Sequence, residues 1–212
     1  ELHVLRARLR GGILNQARRG ALKVALPVGL VYDDAGSVVL DPDSQIRSSL
    51  KLLFETFHRT ASASATVRHF RTNALLFPRR SRRGPQKGEV QWGALTHWRA
   101  LNVLHNPRYA GAFVFGRNRV RKKPGDTISI QAVPQEEWIA LLPNSHPGYI
   151  SWEQFEKNQK KLSDNAQAYG ADRRQSPPRE GPALLQGIAI CGVCGLRMTV
   201  RYHSRHGKQQ CP

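Results

Sequence analysis

The chain has 212 residues, enough for one sizeable core or for two small domains. Its 33 Lys plus Arg against 15 Asp plus Glu give a formal charge of +18, a field that favours polyanions and points first to nucleic acid. No uninterrupted apolar run approaches the ~20 residues of a membrane span, and no secretory signal opens the sequence, so the expected partner list has no membrane in it.

Residues 1–19 read as an amphipathic helix. Leu2, Leu5, Leu9 and Ile13 repeat at three- and four-residue steps, with Arg6, Arg8, Arg10, Arg18 and Arg19 on the other faces. Gly11-Gly12 inside it costs roughly 1 kcal/mol per glycine, so the helix is expected to bend or fray there. Gly20 closes it as a C-terminal cap residue would. Residues 24–40 read as a β-hairpin turning on Asp33-Asp-Ala-Gly36. Asp41-Pro42-Asp43 then starts a helix with an apolar stripe of Ile46, Leu50, Leu53, Phe54 and Phe57. A shorter helix runs from about Ser64 to Asn73, with Val67 and Phe70 inward.

Leu76 to Val90 reads as a loop, dominated by Pro78-Arg-Arg-Ser-Arg-Arg-Gly-Pro85 and Lys87. A third helix covers about Leu95 to His105, held by Leu95, Leu101 and Leu104, and Asn106-Pro107 stops it. Tyr109 to Arg117 alternates like a strand, a basic run follows from Arg117 to Lys123, and a β-segment covers Thr127 to Val133. Ser151 and Gln154 form a capping-box pattern that opens another helix. The polar, Pro-rich residues 163–182 read as an inter-domain linker.

The last unit carries Cys191-Gly-Val-Cys194 and Cys211. Two thiolates flanking a tight turn and a third further on are the donors a tetrahedral zinc takes. The fourth ligand is His203, His206 or a residue beyond Pro212. The same three cysteines suit a reducing cytosol better than a disulfide framework, so a cytoplasmic protein is expected. A redox role for Cys-x-x-Cys is weaker, because no thioredoxin-like βαβ pattern surrounds it.

Three helices between residues 43 and 105 with a hairpin before them suggest a helix-turn-helix relative, although an ordinary small α/β core reads almost as well. Charge favours the former. Arg79, Arg80, Arg82, Arg83 and Lys87 immediately precede the third helix and are candidate phosphate contacts. Thr96, His97, Arg99 and Asn102 are candidates for base edges. Arg117, Arg119, Arg121, Lys122 and Lys123 could follow a phosphate backbone, or could simply guard a charged edge strand. No Walker A loop, His-Glu-x-x-His or Gly-x-Ser-x-Gly pattern is present, so no catalytic residue is assigned.

Leu101-Asn-Val-Leu-His-Asn-Pro-Arg-Tyr-Ala-Gly-Ala-Phe-Val-Phe-Gly-Arg117 resembles the Asn-Pro-x-Tyr-x-Gly signature of the recombinase domain in large serine recombinases. Residues 1–20 resemble the long helix that joins their catalytic domain to it. Leu184 to Met198 resembles the start of their zinc-ribbon domain. The resemblance implies a missing N-terminal resolvase-like domain whose serine attacks a DNA phosphodiester, so the residues in hand would form no enzyme by themselves. They would grip a half-site of double-stranded DNA, with the first helix (Arg6, Arg10, Arg18 and Arg19 among its contacts) across the minor groove. The parent would be a homo-oligomer, a dimer on one site and a tetramer in the synapse, with a monomer open for the piece in hand. The family usually supplies a fourth cysteine soon after the third.

The expected fold class is therefore mixed α/β (α+β): a helix-turn-helix-like three-helix unit with β-hairpins, followed by an incomplete zinc ribbon. Residues 1–19 are the end of the linker helix, 20–162 the DNA-binding domain, 163–182 the linker and 183–212 the truncated ribbon. A zinc-ribbon RNA-binding or translation-associated protein is the rival. It explains charge and metal, but not the Asn106 to Gly111 motif or the first helix.

Overall fold

A computed structural model describes residues 1–81, 84–122 and 128–165, and further on residues 189, 191–193, 198, 203–205 and 208–210. Helix α1 spans Leu2–Arg18 without a break at Gly11-Gly12. Gly20 adopts φ +74°, and the turn closes with Gly20 N–H on Ala17 O and Ala21 N–H on Gln16 O, both at 3.0 Å. That pair of bonds satisfies the last helical carbonyls, and a left-handed residue makes it possible. Only Ala17 of this helix is buried. The stripe from Leu2 to Ile13 lies in solvent, so amphipathic spacing here does not mark a packed face.

Strands β1 (Leu30–Tyr32) and β2 (Val38–Leu40) form the expected hairpin. Asp33 Oδ1 accepts from Ser37 N at 2.7 Å, and Gly36 takes φ +80° in the turn. Helix α2 (Ser44–Thr60) starts at Asp43, whose side chain accepts from Gln45 N at 2.8 Å. Two residues, Ala61 and Ser62, separate it from α3 (Ala63–Thr72). Ala61 is left-handed at φ +51°, and Ser62 caps α3 through Ala65 N.

Residues 76–90 differ from the expected loop. Strands β3 (Leu76–Arg80) and β4 (Val90–Ala94) pair antiparallel from Leu76↔Ala94 to Arg80↔Val90. Proline and two arginines hide the strand in sequence. A two-stranded sheet has only edges, where a missing N–H is tolerated. Helix α4 (His97–Leu104) begins two residues later than Leu95, because Thr96 accepts from Arg99 N and fixes the cap.

The expected strand from Tyr109 is also corrected. Pro107–Ala110 is a 3-10 turn, capped by Asn106 Oδ1 on Arg108 N, and only Phe113–Phe115 (β5) is extended. β5 pairs with β8 (Ala140–Leu142), which lies beyond the hairpin of β6 (Asn118–Lys122) and β7 (Ile128–Ala132). Helix α5 spans Trp152–Asn165, three residues past the expected boundary. Its Ser151 Oγ accepts from Gln154 N, but the Gln154 side chain turns to His58 and Asn158, so only half of the capping box forms. Of the C-terminal unit, β9 (His203–Arg205) and β10 (Lys208–Gln210) pair antiparallel, and Met198 N–H bonds Ala189 O.

The core lies between α2, α3, α4, α5 and β3. Leu50, Leu53, Phe57, Phe70, Phe77, Leu104 and Tyr109 are each at most 2 % exposed. Phe54 meets Tyr109 edge to face at 5.7 Å, and Phe70 meets Phe77 at 6.0 Å. Each such ring contributes about 1.5–3 kcal/mol by burial. Among the described residues no helix is long and apolar enough to cross a membrane.

Candidate nucleic-acid interface

The Asn106 to Gly111 segment is the hinge on which the candidate surface is mounted. The Tyr109 hydroxyl donates to Val28 O at 2.9 Å, and its ring packs between Phe54 and Tyr149. Its backbone carbonyl accepts from Tyr149 N at 2.7 Å. Gly111 has φ +73°, and a Cβ there would stand 2.4 Å from His146 O. The motif is thus a packing device. It ties β1, α2, α4 and the stretch before α5 together, and none of its side chains needs a ligand to explain it.

Strand alternation splits the arginines that the loop reading treated alike. Arg79 points outward and holds Gln91 Oε1 through Nε and Nη2 at 3.0 and 2.6 Å. Arg80 points inward, forming an ion pair with buried Asp41 at 3.0 Å and donating to Leu30 O. Its expected role as a phosphate contact gives way to a structural one, because neighbouring residues of a strand face opposite sides. Lys87 is exposed at the far end of this hairpin. Arg82 and Arg83 lie outside the described residues.

On α4, Thr96 is occupied as the cap, His97 is exposed, and Asn102 is exposed with its Nδ2 on Trp98 O at 2.8 Å. Arg99 is half-buried and donates to Ala94 O at 3.4 Å. Burial, and then the nearby positive charge of Arg79, lowers its pKa below the usual arginine value. Two like charges so placed favour an anion between or beside them. Trp98, 75 % exposed, stands on the same helix and was not anticipated.

The second basic run divides in the same way. Arg117 donates to His105 O at 2.8 Å and lies over the Trp138 ring at 5.4 Å, so it is partly committed to packing. Burial lowers its pKa. Arg119 pairs with Glu137 at 2.8 Å, both exposed. Arg121 and Lys122 are on β6, and Lys123 lies outside the described residues. Arg6, Arg10, Arg18 and Arg19 are all exposed on or just after α1.

Two residues missed by sequence reading are Arg68 and Arg71, exposed on α3. The signal was the tight connection at Ala61-Ser62. It makes α2 and α3 the pair joined by a short turn, whereas the expectation looked for that turn before α4. Of the cysteines, Cys191 is half-buried just before the turn at Gly192-Val193, while Cys194 and Cys211 lie outside the described residues. Among the described residues no three His, Cys, Asp or Glu gather as a metal site.

A family model described as Recombinase matches residues 47–165, more than half of the chain. The chain belongs to the Recombinase family. The match runs from the first turn of α2 to the end of α5, so the Recombinase unit is the helical core with its hairpins. The chain is 50 % identical over 208 residues to an uncharacterized protein, y4bA/y4pH, of Sinorhizobium fredii (strain NBRC 101917 / NGR234), covering 98 % of this chain and 30 % of that protein. It therefore spans under a third of that relative's length. Its fold is similar to the crystal structure of an LSR–DNA complex, with a TM-score of 0.55 at 16 % identity over 96 % of this chain and 51 % of that one. A structure from work on the sequence requirements of the Listeria innocua prophage attP site gives a TM-score of 0.54 at 16 % identity, over 96 % and 70 %. These two likenesses are of fold.

Proposed function

We propose that this chain is the DNA-gripping portion of a serine recombinase, holding a half-site of duplex DNA while a serine in another part of the protein performs strand exchange. The observation that supports it is the exposed arginine set of α1, with exposed Arg79 of β3 and the half-buried Arg99 of α4 beside it, carried on a Recombinase fold. Arg79, Lys87 and the α1 arginines grip phosphates. Base edges are read from one helix. A dimer on a site and a tetramer in the synapse would follow for the whole protein. Titration of duplex DNA at several salt concentrations tests the reading. If ~6–10 phosphates are neutralised, affinity falls ~10³–10⁵-fold between roughly 50 and 200 mM salt. A flat response, or preference for structured RNA, would sink it.

Two assignments of the reading helix are open to a direct comparison. Helix α4 offers His97, Arg99 and Asn102. The two-residue turn before α3 favours α3 instead, because the second helix after such a turn enters the major groove in helix-turn-helix proteins. Paired titrations of Asn102→Ala and Arg71→Ala on selected and scrambled duplexes separate them: the reader loses discrimination, and the other loses none. Cys191, Cys194 and Cys211 are further proposed as three thiolate ligands of a zinc that would brace the C-terminal ribbon. Zinc uptake with and without Cys191→Ser, read by a metal-sensitive dye, tests that assignment.

A further inference from the structure

Arg79 of β3 and Arg99 of α4 are anchored on one short strand. Arg79 Nε and Nη2 donate to the Gln91 side chain at 3.0 and 2.6 Å, and Arg99 Nη1 donates to Ala94 O at 3.4 Å. Gln91 and Ala94 lie three residues apart on β4, a span of ~10 Å that two arginine side chains can close between them. Both acceptors are uncharged, so they orient the guanidinium groups without neutralising them. β3, β4 and α4 contain no Asp or Glu, and among the described residues neither arginine stands in an ion pair. Glu89, the acid nearest to them in sequence, is exposed and pairs with neither. Burial first, and then the Arg79 charge, hold the Arg99 pKa below the usual arginine value. Two cations held near each other by neutral partners repel. An anion seated between them relieves that repulsion and accepts charge-assisted hydrogen bonds from both.

We infer that Arg79 and Arg99 form a clamp that holds a single phosphate of the DNA backbone between a strand and a helix. The inference rests on the duplex-binding reading and deepens it. Arg99 passes from the base edges to the backbone, which leaves His97 and Asn102 as what α4 can offer to bases. The clamp also sets the register of α4 and of the β3–β4 hairpin on the duplex together, because Thr96 caps α4 directly after β4 ends at Ala94. Free phosphate shares the anionic chemistry. Exposed Lys87 at the far end of the same hairpin extends the cationic line, which a polyanion uses and a single ion does not.

The test uses the whole chain and a duplex it has selected from a random pool. Arg79→Gln and Arg99→Gln should each be about ten-fold weaker on that duplex, the scale of one charge-assisted hydrogen bond. The double variant should be no more than about thirty-fold weaker, against about a hundred-fold for two separate contacts. Its salt slope should fall by about one and not two, because one phosphate is held. Each phosphate is then replaced in turn by an uncharged methylphosphonate. At one position the wild type should lose most, both single variants should lose less, and the double variant should lose almost nothing. Arg99→Gln should weaken selected and scrambled duplexes alike. A thermal melt checks folding, and Arg99→Lys, which keeps the charge, should keep the wild-type response at that position. Single variants whose responses vanish at two different phosphates, or a double variant weakened about a hundred-fold, would overturn the clamp while leaving duplex binding intact. Loss of discrimination in Arg99→Gln would overturn it too, and return Arg99 to the base edges. Inorganic phosphate that displaces wild type, but not the double variant, more than chloride at equal ionic strength would overturn the backbone as ligand. Absence of any duplex binding would overturn the functional reading itself.

Discussion

Replacing Arg80 by alanine should damage the fold and leave the salt dependence of DNA binding alone. Arg80 Nη2 lies 3.0 Å from Asp41 Oδ2, and the Asp41 side chain is only 7 % exposed. Removing the arginine leaves a carboxylate in a poorly hydrated site, with the Asp43 N–H at 3.2 Å as a remaining partner. Breaking a fully buried pair costs about 3–5 kcal/mol. The Arg80 side chain is 25 % exposed, so solvent screening lowers this to about 2–4 kcal/mol. For a chain of this size that is a fall in Tm of about 5–15 °C. Urea unfolding reads the loss, and duplex titration at several salts reads the grip. Combining Arg80→Met with Asp41→Asn should recover stability to within about 1 kcal/mol, because no charge is then left unpaired. Wild-type urea resistance in Arg80→Ala, together with a salt slope lower by about one, would refute the structural assignment and return Arg80 to the phosphate contacts.

Arg79→Ala should do the reverse, lowering the salt slope by about one with little change in urea midpoint, because Arg79 is exposed and its partner, half-buried Gln91, is uncharged. Gly111→Ala should destabilise by more than about 2 kcal/mol, since φ +73° and a Cβ 2.4 Å from His146 O both oppose it, whereas Gly93→Ala meets nothing within 4 Å and should shift the urea midpoint little. Tyr149 carries a pKa pushed up to about 12, first by burial and then by Asp41, against a partial opposing effect of Arg47. Its neutral form is thus favoured by folding. That contribution is whole below about pH 10, where the unfolded tyrosine titrates, and drains away between about pH 10 and 12. Tyr149→Phe should flatten this part of a urea midpoint against pH curve, and an unchanged curve would show that another group titrates there.

The sequence determined what is local. The Asp33 to Gly36 turn, the Asp43 cap and the stripes of α2 and α3 follow from spacing and from side chains that bond their own backbone. The net charge and the Asn106 to Gly111 motif were equally legible, and the motif carried the family. Contacts between distant segments decided the rest. Arg79 and Arg80 look alike in sequence, and only the pairing of β3 with β4 sends one to solvent and the other to Asp41, 39 residues earlier. The Tyr109 hydroxyl finds Val28 O across 81 residues, which is why a motif legible as a signature did not disclose that it is a packing joint. The cleft beside α1 draws Arg10, Arg108 and Arg117 from three separate segments of the chain. Charge composition promised an anion, but which charges meet, and which are spent on the fold, depends on how the strands and helices pair in space.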